Sequence, residues 1–133
     1  MKENELRINN LVIADDFICK IVEIKSNVRT YFEPENYIVS VLEKGTNKEF
    51  SGFIERLKGI ELTEELLFNF GFEKITGINP KFRDYEYMYR MGGFHLGSDF
   101  LFHYMSGNVK VEFVHQLQNL HFAIYGEELI LKL

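Results

Sequence analysis

The sequence predicts a sheet-rich α+β fold: an N-terminal antiparallel β unit, a short helix, a second antiparallel hairpin and a C-terminal helix. Three observations predict it. Aromatic residues reach 15%, with 13 Phe and 7 Tyr, and such side chains favour pleated strands and bury large areas. Short apolar or alternating runs are joined by tight turns over residues 6–58 and again over 72–113. The apolar period turns helical at two places, 63–70 and 114–125. At 133 residues the chain fits one domain, 1–133, and no repeat, low-complexity tract or linker interrupts it. The two prolines, Pro34 and Pro80, sit beside apparent connections.

The first half reads as a small barrel-like or strongly bent antiparallel sheet. Leu11-Val12-Ile13 is a short apolar run, and Ile18 to Lys25 alternates. Apolar residues fall on both faces of that second run (Ile18, Val22 and Ile24 on one, Cys19 and Ile21 on the other), which predicts a strand covered on both sides. Tyr37 to Glu43 and Glu49 to Ile54 flank Gly45-Thr46-Asn47-Lys48, the clearest hairpin in the chain.

Leu62 to Gly71 predicts a short helix. Thr63 can cap it, Glu64 and Glu65 suit its positive end, and Gly71 can take the left-handed conformation that closes it. Strand character then returns. Tyr85 to Met91 alternates, with Tyr85, Tyr87 and Tyr89 on one face and Glu86, Met88 and Arg90 on the other, until Gly92-Gly93 breaks it. Asp99 to Met105 and Val109 to Phe113 flank a turn at Ser106-Gly107-Asn108. Phe113, Leu117, Leu120 and Ile124 recur at helical spacing and predict a core-facing stripe, with Gln116, Gln118, Asn119 and His121 as polar positions. Gly126 would close that helix and leave Leu129 to Leu133 as a closing strand or tail.

Composition narrows the chemistry. Cys19 is the only cysteine, so no internal disulfide or cysteine-ligated metal is expected. Met1 to Asn10 is polar and mixed in charge, and no apolar run reaches the eighteen or so residues of a membrane span. A reducing cytoplasm is the expected compartment. Fifteen basic against twenty acidic residues leave a net charge of −5, which disfavours nucleic-acid binding despite the local Lys81-Phe82-Arg83 and Arg90.

Few residues suggest a site. His95, His103, His115 and His121 lack ligand spacing, although His95 and His103 with Asp99 could converge through tertiary folding. Ordinary, partly exposed histidines are the commoner outcome. Cys19 lies in a strand pattern, where a small buried residue is the usual explanation. The glycines of Met91 to Gly97 are not followed by the lysine of a phosphate loop. Adjacent carboxylates at Glu64-Glu65 and Glu127-Glu128 diverge by about a hundred degrees on a helix and make no acid–base pair. The tyrosines Tyr85, Tyr87 and Tyr89 are the better candidates: phenols on one sheet face can hold a base, a sugar or a peptide, with Arg90 and His95 nearby. A plain role covering the core competes with that reading.

Three motifs carry a resemblance. Glu5-Leu6-Arg7-Ile8-Asn9-Asn10 looks like an E-L-R-I-G-N opening, Leu62 to Leu67 matches L-T-E-E-L-L, and His115 to Leu129 is similar to an H-x-L-Q-N-L-Y-F-A-L-T-G-E-E-L close. Together they resemble small proteins abundant in Bacteroidota genomes, their prophages and phages. Asn9 stands where the pattern has glycine, which predicts a positive-φ turn that Asn tolerates, and His121 and Tyr125 replace Tyr and Thr. The resemblance implies phage or mobile-element cargo and emphasises the closing segment, but transfers no reaction or catalytic residue. Gln116, Gln118, Asn119 and His121 are its polar positions, available for capping, partner contact or ligand hydrogen bonds, and Gln116 and Asn119 are the candidates for ligand or partner contact. The expectation is a non-catalytic binding or accessory protein without cofactor or metal, acting on a protein partner, with homo-oligomerisation open. The alternatives are a small-ligand or nucleotide-binding protein of sponge type and a nucleic-acid-binding module.

Overall fold

The computed structural model describes residues 5–27, 36–46, 48–75, 87–104 and 107–132. Strand residues outnumber helical ones, and every paired strand is antiparallel. The chain gathers into two compact units. One comprises Met1–Ile60 with Phe113–Leu120, the other Glu61–Glu112 with His121–Leu133.

The first unit is built on a four-stranded sheet in the order β1 (Leu11–Ala14), β2 (Phe17–Asn27), β3 (Asn36–Glu43) and β4 (Glu49–Phe53). Asp15 and Asp16 join β1 to β2 in a two-residue turn with φ of 47° and 67°. Such primed turns match the twist of the strands they connect, and Asp is among the few residues that enter the left-handed region readily. Leu6, Val12, Cys19, Ile21, Val39, Val41, Ile54 and Leu57 form the core, with Ala14 and Ile24 packed against it.

Two expectations for this unit change. The apolar residues of β2 on both faces reflect a bulge, because the register slips between Ile21 and Glu23. Cys19 and Ile21 point into the core before the slip and Ile24 packs on it afterwards. An extra residue reverses the inside–outside phase, so the bulge puts Ile24 on the face of Cys19 and Ile21, while Ile18 and Val22 are half-buried. The sheet is also open rather than a closed barrel. β4 ends in a 3-10 turn at Ile54–Arg56, and only Lys58 returns to the far edge, exchanging two backbone hydrogen bonds with Ile13 of β1 (2.8 and 3.0 Å). A barrel needs a ladder at that seam, whereas here a single bridge spans it among the described residues.

In the second unit, α1 (Glu64–Phe70) begins at Thr63, whose hydroxyl accepts from the Leu66 N–H at 3.2 Å. It ends at Gly71, φ 105°, with Gly71 N donating to Phe68 O and Phe72 N to Leu67 O, both at 3.0 Å. This is the Schellman pattern, and the flanking apolar pair, Leu67 and Phe72, is buried. A three-stranded sheet follows, β5 (Glu73–Lys74), β6 (Tyr87–Met91) and β7 (Phe94–Gly97), then the hairpin of β8 (Leu101–Tyr104) with β9 (Gly107–Lys110). Gly107 and Asn108, expected in the turn, pair within β9, while Ser106 lies outside the described residues. Buried Phe94 centres this core, with the rings of Phe72, Phe102, His121 and Tyr125 at centroid distances of 5.2–6.3 Å.

The last helix, α2 (Val114–Tyr125), contributes its residues through Leu120 to the first unit and the rest to the second, and stops where Gly126, φ 68°, donates to Phe122 O. Its buried positions are Val114, His115, Leu117, Gln118 and His121, whereas Leu120 is half-buried and Ile124 is exposed. The expected stripe of Phe113, Leu117, Leu120 and Ile124 therefore holds at Leu117 alone. The reason is chemical: both ends of the Gln118 amide and the Nδ1 of His121 have backbone partners, and burial then costs less. Beyond the helix Leu129 and Leu131 are buried, and Lys132 N donates to Asn69 O at 2.9 Å, so the segment is a docked tail without a strand ladder. No helix among the described residues is long and apolar enough to cross a membrane.

Gly71→Ala should destabilise the protein by about 1 kcal/mol or more, since a β-carbon is penalised at positive φ. Thermal unfolding of the variant measures it, and an unchanged midpoint would contradict the assignment of this cap.

Candidate partner-binding surface

The opening and closing motifs meet in the first unit. Arg7 to Asn10 forms a turn closed by Asn10 N donating to Arg7 O at 3.0 Å, with Asn9 at φ 77° in the position that demands a positive angle. Asn10 is fully buried, and its Oδ1 accepts from Arg7 N at 2.7 Å while its Nδ2 donates to Asn119 Oδ1 at 2.8 Å. Asn119 in turn donates to Glu5 O at 2.9 Å and accepts from Arg7 Nε at 3.3 Å. Gln118 accepts from Leu11 N at 2.8 Å and donates to Asn9 O at 3.3 Å. Asn119, a candidate contact residue, is thus engaged within the unit. Gln116, another, stays exposed, and its Oε1 accepts from Phe113 N at 3.1 Å, the returning half of a capping box.

The tyrosine candidates are not gathered into a ligand wall. Tyr85 lies outside the described residues, as do Lys81, Phe82 and Arg83, and of Tyr87 only the backbone, in β6, is described. Tyr89 is buried between Phe68 and Phe100, at ring distances of 6.4 and 5.6 Å. Burial pushes its phenol above the ordinary value, and the Glu64 carboxylate adds to the shift. Arg90 and His95 are brought together as register partners across β6 and β7. Arg90 is exposed and lies 3.5 Å from Glu73, and His95 Nδ1 is 3.1 Å from Gly93 O.

Cys19, His115 and His121 are all buried. Cys19 is fully buried, and burial pushes its thiol up, away from the thiolate a nucleophile needs. His121 holds the chain after α2 through Nδ1 and Glu127 O at 2.9 Å. His115 is buried and stacks on Phe113 at 5.7 Å, over Gly59, where a β-carbon would fall 2.7 Å from Phe113 Cδ1. Its Nδ1 has no hydrogen-bond partner among the described residues. Burial pushes the imidazole below its usual 6.5, opposed by the nearby Glu5.

What the sequence reading passed over lies on β4. It is an end strand of its sheet, paired through β3 alone among the described residues, and it carries two exposed aromatics, Phe50 (44 %) and Phe53 (39 %). Beside it opens a slot of about 50 Å³ whose lining includes Val39, Val41, Phe50, Gly52, Arg56 and Leu57, together with Ala14 and Asp15. The signal was present in Phe50-Ser51-Gly52-Phe53: a glycine inside an alternating strand marks a close approach as often as a turn. Comparison with family models, curated proteins and solved structures finds no match for this chain.

Gln118→Leu removes the acceptor of Leu11 N–H and should cost about 2–3 kcal/mol, the penalty of an unpaired buried donor added to the lost bond. Urea unfolding would measure it, and a loss below about 0.5 kcal/mol would show that water restores the contact. His115 also imposes a pH dependence. Its folded value lies below 6.5, so the unfolded chain binds a proton first as the solution is acidified. The stability this neutral side chain contributes is complete above about pH 6.5 and is lost as pH falls toward the folded value. Between about pH 7.5 and 5.5 the urea midpoint of the wild type should fall further than that of His115→Phe; parallel curves would refute the assignment.

Proposed function

We propose that this chain is a non-catalytic binding or accessory protein that works by protein contact, in the phage or mobile-element setting its motifs resemble. The observation that carries the reading is the end strand β4 with Phe50 and Phe53 exposed on it. End strands are normally blunted, because their free N–H and C=O groups recruit other chains. Charged neighbours, Lys48, Glu49 and Glu55, flank this one without removing its aromatic surface. Phe is also among the residues enriched at interface centres.

Size favours a protein partner over a nucleotide at this place. Pockets for small ligands commonly measure several hundred cubic ångströms, against about 50 Å³ here. Tyr89, the described side chain of the tyrosine stripe, is buried, which removes one wall of the sponge-type alternative. The net charge of −5 weighs against the nucleic-acid alternative.

The test is affinity capture from host lysate on immobilised wild type and on Phe50→Asp, with melting curves of both. A partner retained by the wild type and depleted about tenfold or more on a variant that melts within a few degrees of it is the expected result. Equal capture on both proteins would move the interface away from β4. No captured protein at all would remove the support for protein contact.

A further inference from the structure

Strands β3 and β4 turn one row of residues toward the core of the first unit: Val41 stands opposite Phe50, and Val39 opposite Gly52. Val39 and Val41 are buried, which identifies the row as the inner one. Gly52 occupies a place in it with no side chain. The backbone gives no reason for this. Its φ is outside the left-handed region, and a β-carbon built on it would meet nothing within 4 Å among the described residues. Glycine inside a strand weakens it, by chain entropy and by the packing it forgoes. Folding of this chain would be served better by a β-branched residue at 52, so whatever uses the vacancy is not one of the described side chains.

The vacancy is the slot between Phe50, Val39 and Leu57. We propose that it seats one aliphatic side chain of a partner's extended segment, whose backbone pairs with the outer edge of β4. The proposal rests on the protein-contact reading and names its mode. Three features choose this occupant. A row of backbone donors and acceptors at strand spacing is answered only by another extended backbone, and side-chain pockets beside such an edge give the selectivity. About 50 Å³ admits a few methyl groups and no base or sugar. Finally, Arg56 and Asp15 line the same slot, and neither has an ion pair or side-chain hydrogen bond among the described residues. The rim therefore offers one charge of each sign, and a segment with an acidic and a basic residue flanking its aliphatic one complements both.

The experiment is selection of a display library of random linear dodecapeptides on the whole protein. Enriched sequences should share an aliphatic residue flanked by opposite charges. A synthetic copy of the best should bind the wild type and lose about tenfold or more in affinity on Gly52→Val, which fills the slot, and on Arg56→Glu. Gly52→Val should melt no lower than the wild type, and Gly52→Ala serves as a smaller filler if it does. The same peptide N-methylated at alternate residues should lose binding in one of its two registers, as strand pairing requires. Peptides that bind Gly52→Val and Gly52→Ala as tightly as the wild type would overturn the slot while leaving protein contact through β4 intact. Failure to enrich any peptide would overturn strand addition, and the capture on Phe50→Asp would then decide the protein-contact reading separately.

Discussion

Both ends of the Gln118 amide are engaged by backbone, the oxygen by Leu11 N and the nitrogen by Asn9 O. That residue is 2 % exposed, and Asn10 beside it is fully buried. A buried amide is tolerated only where its partners lie at fixed positions, so the arrangement admits one register between the Arg7–Asn10 turn and the helix. An apolar interface of the same area would slide at little cost. The first strand starts at Leu11, the residue that this contact holds, and β2 and the core row of Cys19 and Ile21 take their places from it. The positive φ of Asn9 belongs to the same constraint, because it turns the Asn9 carbonyl and the Leu11 N–H toward one side chain.

Helix α2 follows from that constraint as well. Most helices turn methyl groups inward. This one buries His115, Gln118 and His121 along with Val114 and Leu117. Each imidazole has its own setting: His121 is bonded to the carbonyl of Glu127, whereas His115 is stacked on Phe113 with one nitrogen unsatisfied among the described residues. The unsatisfied nitrogen is tolerable while the ring is neutral. It becomes a liability once the ring is charged, since a buried cation has lost its water.

The functional reading comes from the opposite end of the sheet, where packing is incomplete. β1 is held at its outer side by the bridge to Lys58, but β4 has no such cover among the described residues. A small sheet buries its inner face only as far as its side chains reach, and at Gly52 they do not reach. Phe50 beside it stays 44 % exposed although it lies in the inner row. Open seams of this kind are stable enough to fold and remain available to a second chain.

Local rules made much of this legible. Thr63, Gly71 and Gly126 punctuate their helices because capping chemistry acts within a few residues. The hairpin around Gly45 follows from turn chemistry in the same way, and Asn9 announced its positive φ, whereas Gly92 marked the end of β6 without announcing the return strand β7. Tertiary structure alone decided which polar residues went inside. Gln118 and Asn119 look like surface amides until the distant Glu5–Leu11 segment is placed beside them. Tyr89 looked like a ligand platform, and Phe68 and Phe100 cover it. The bulge in β2, the open seam and the vacancy at Gly52 are likewise matters of register and closure. Capping and turns are short-range, so a linear sequence carries them; burial depends on partners supplied from elsewhere in the chain, and only the fold brings those together.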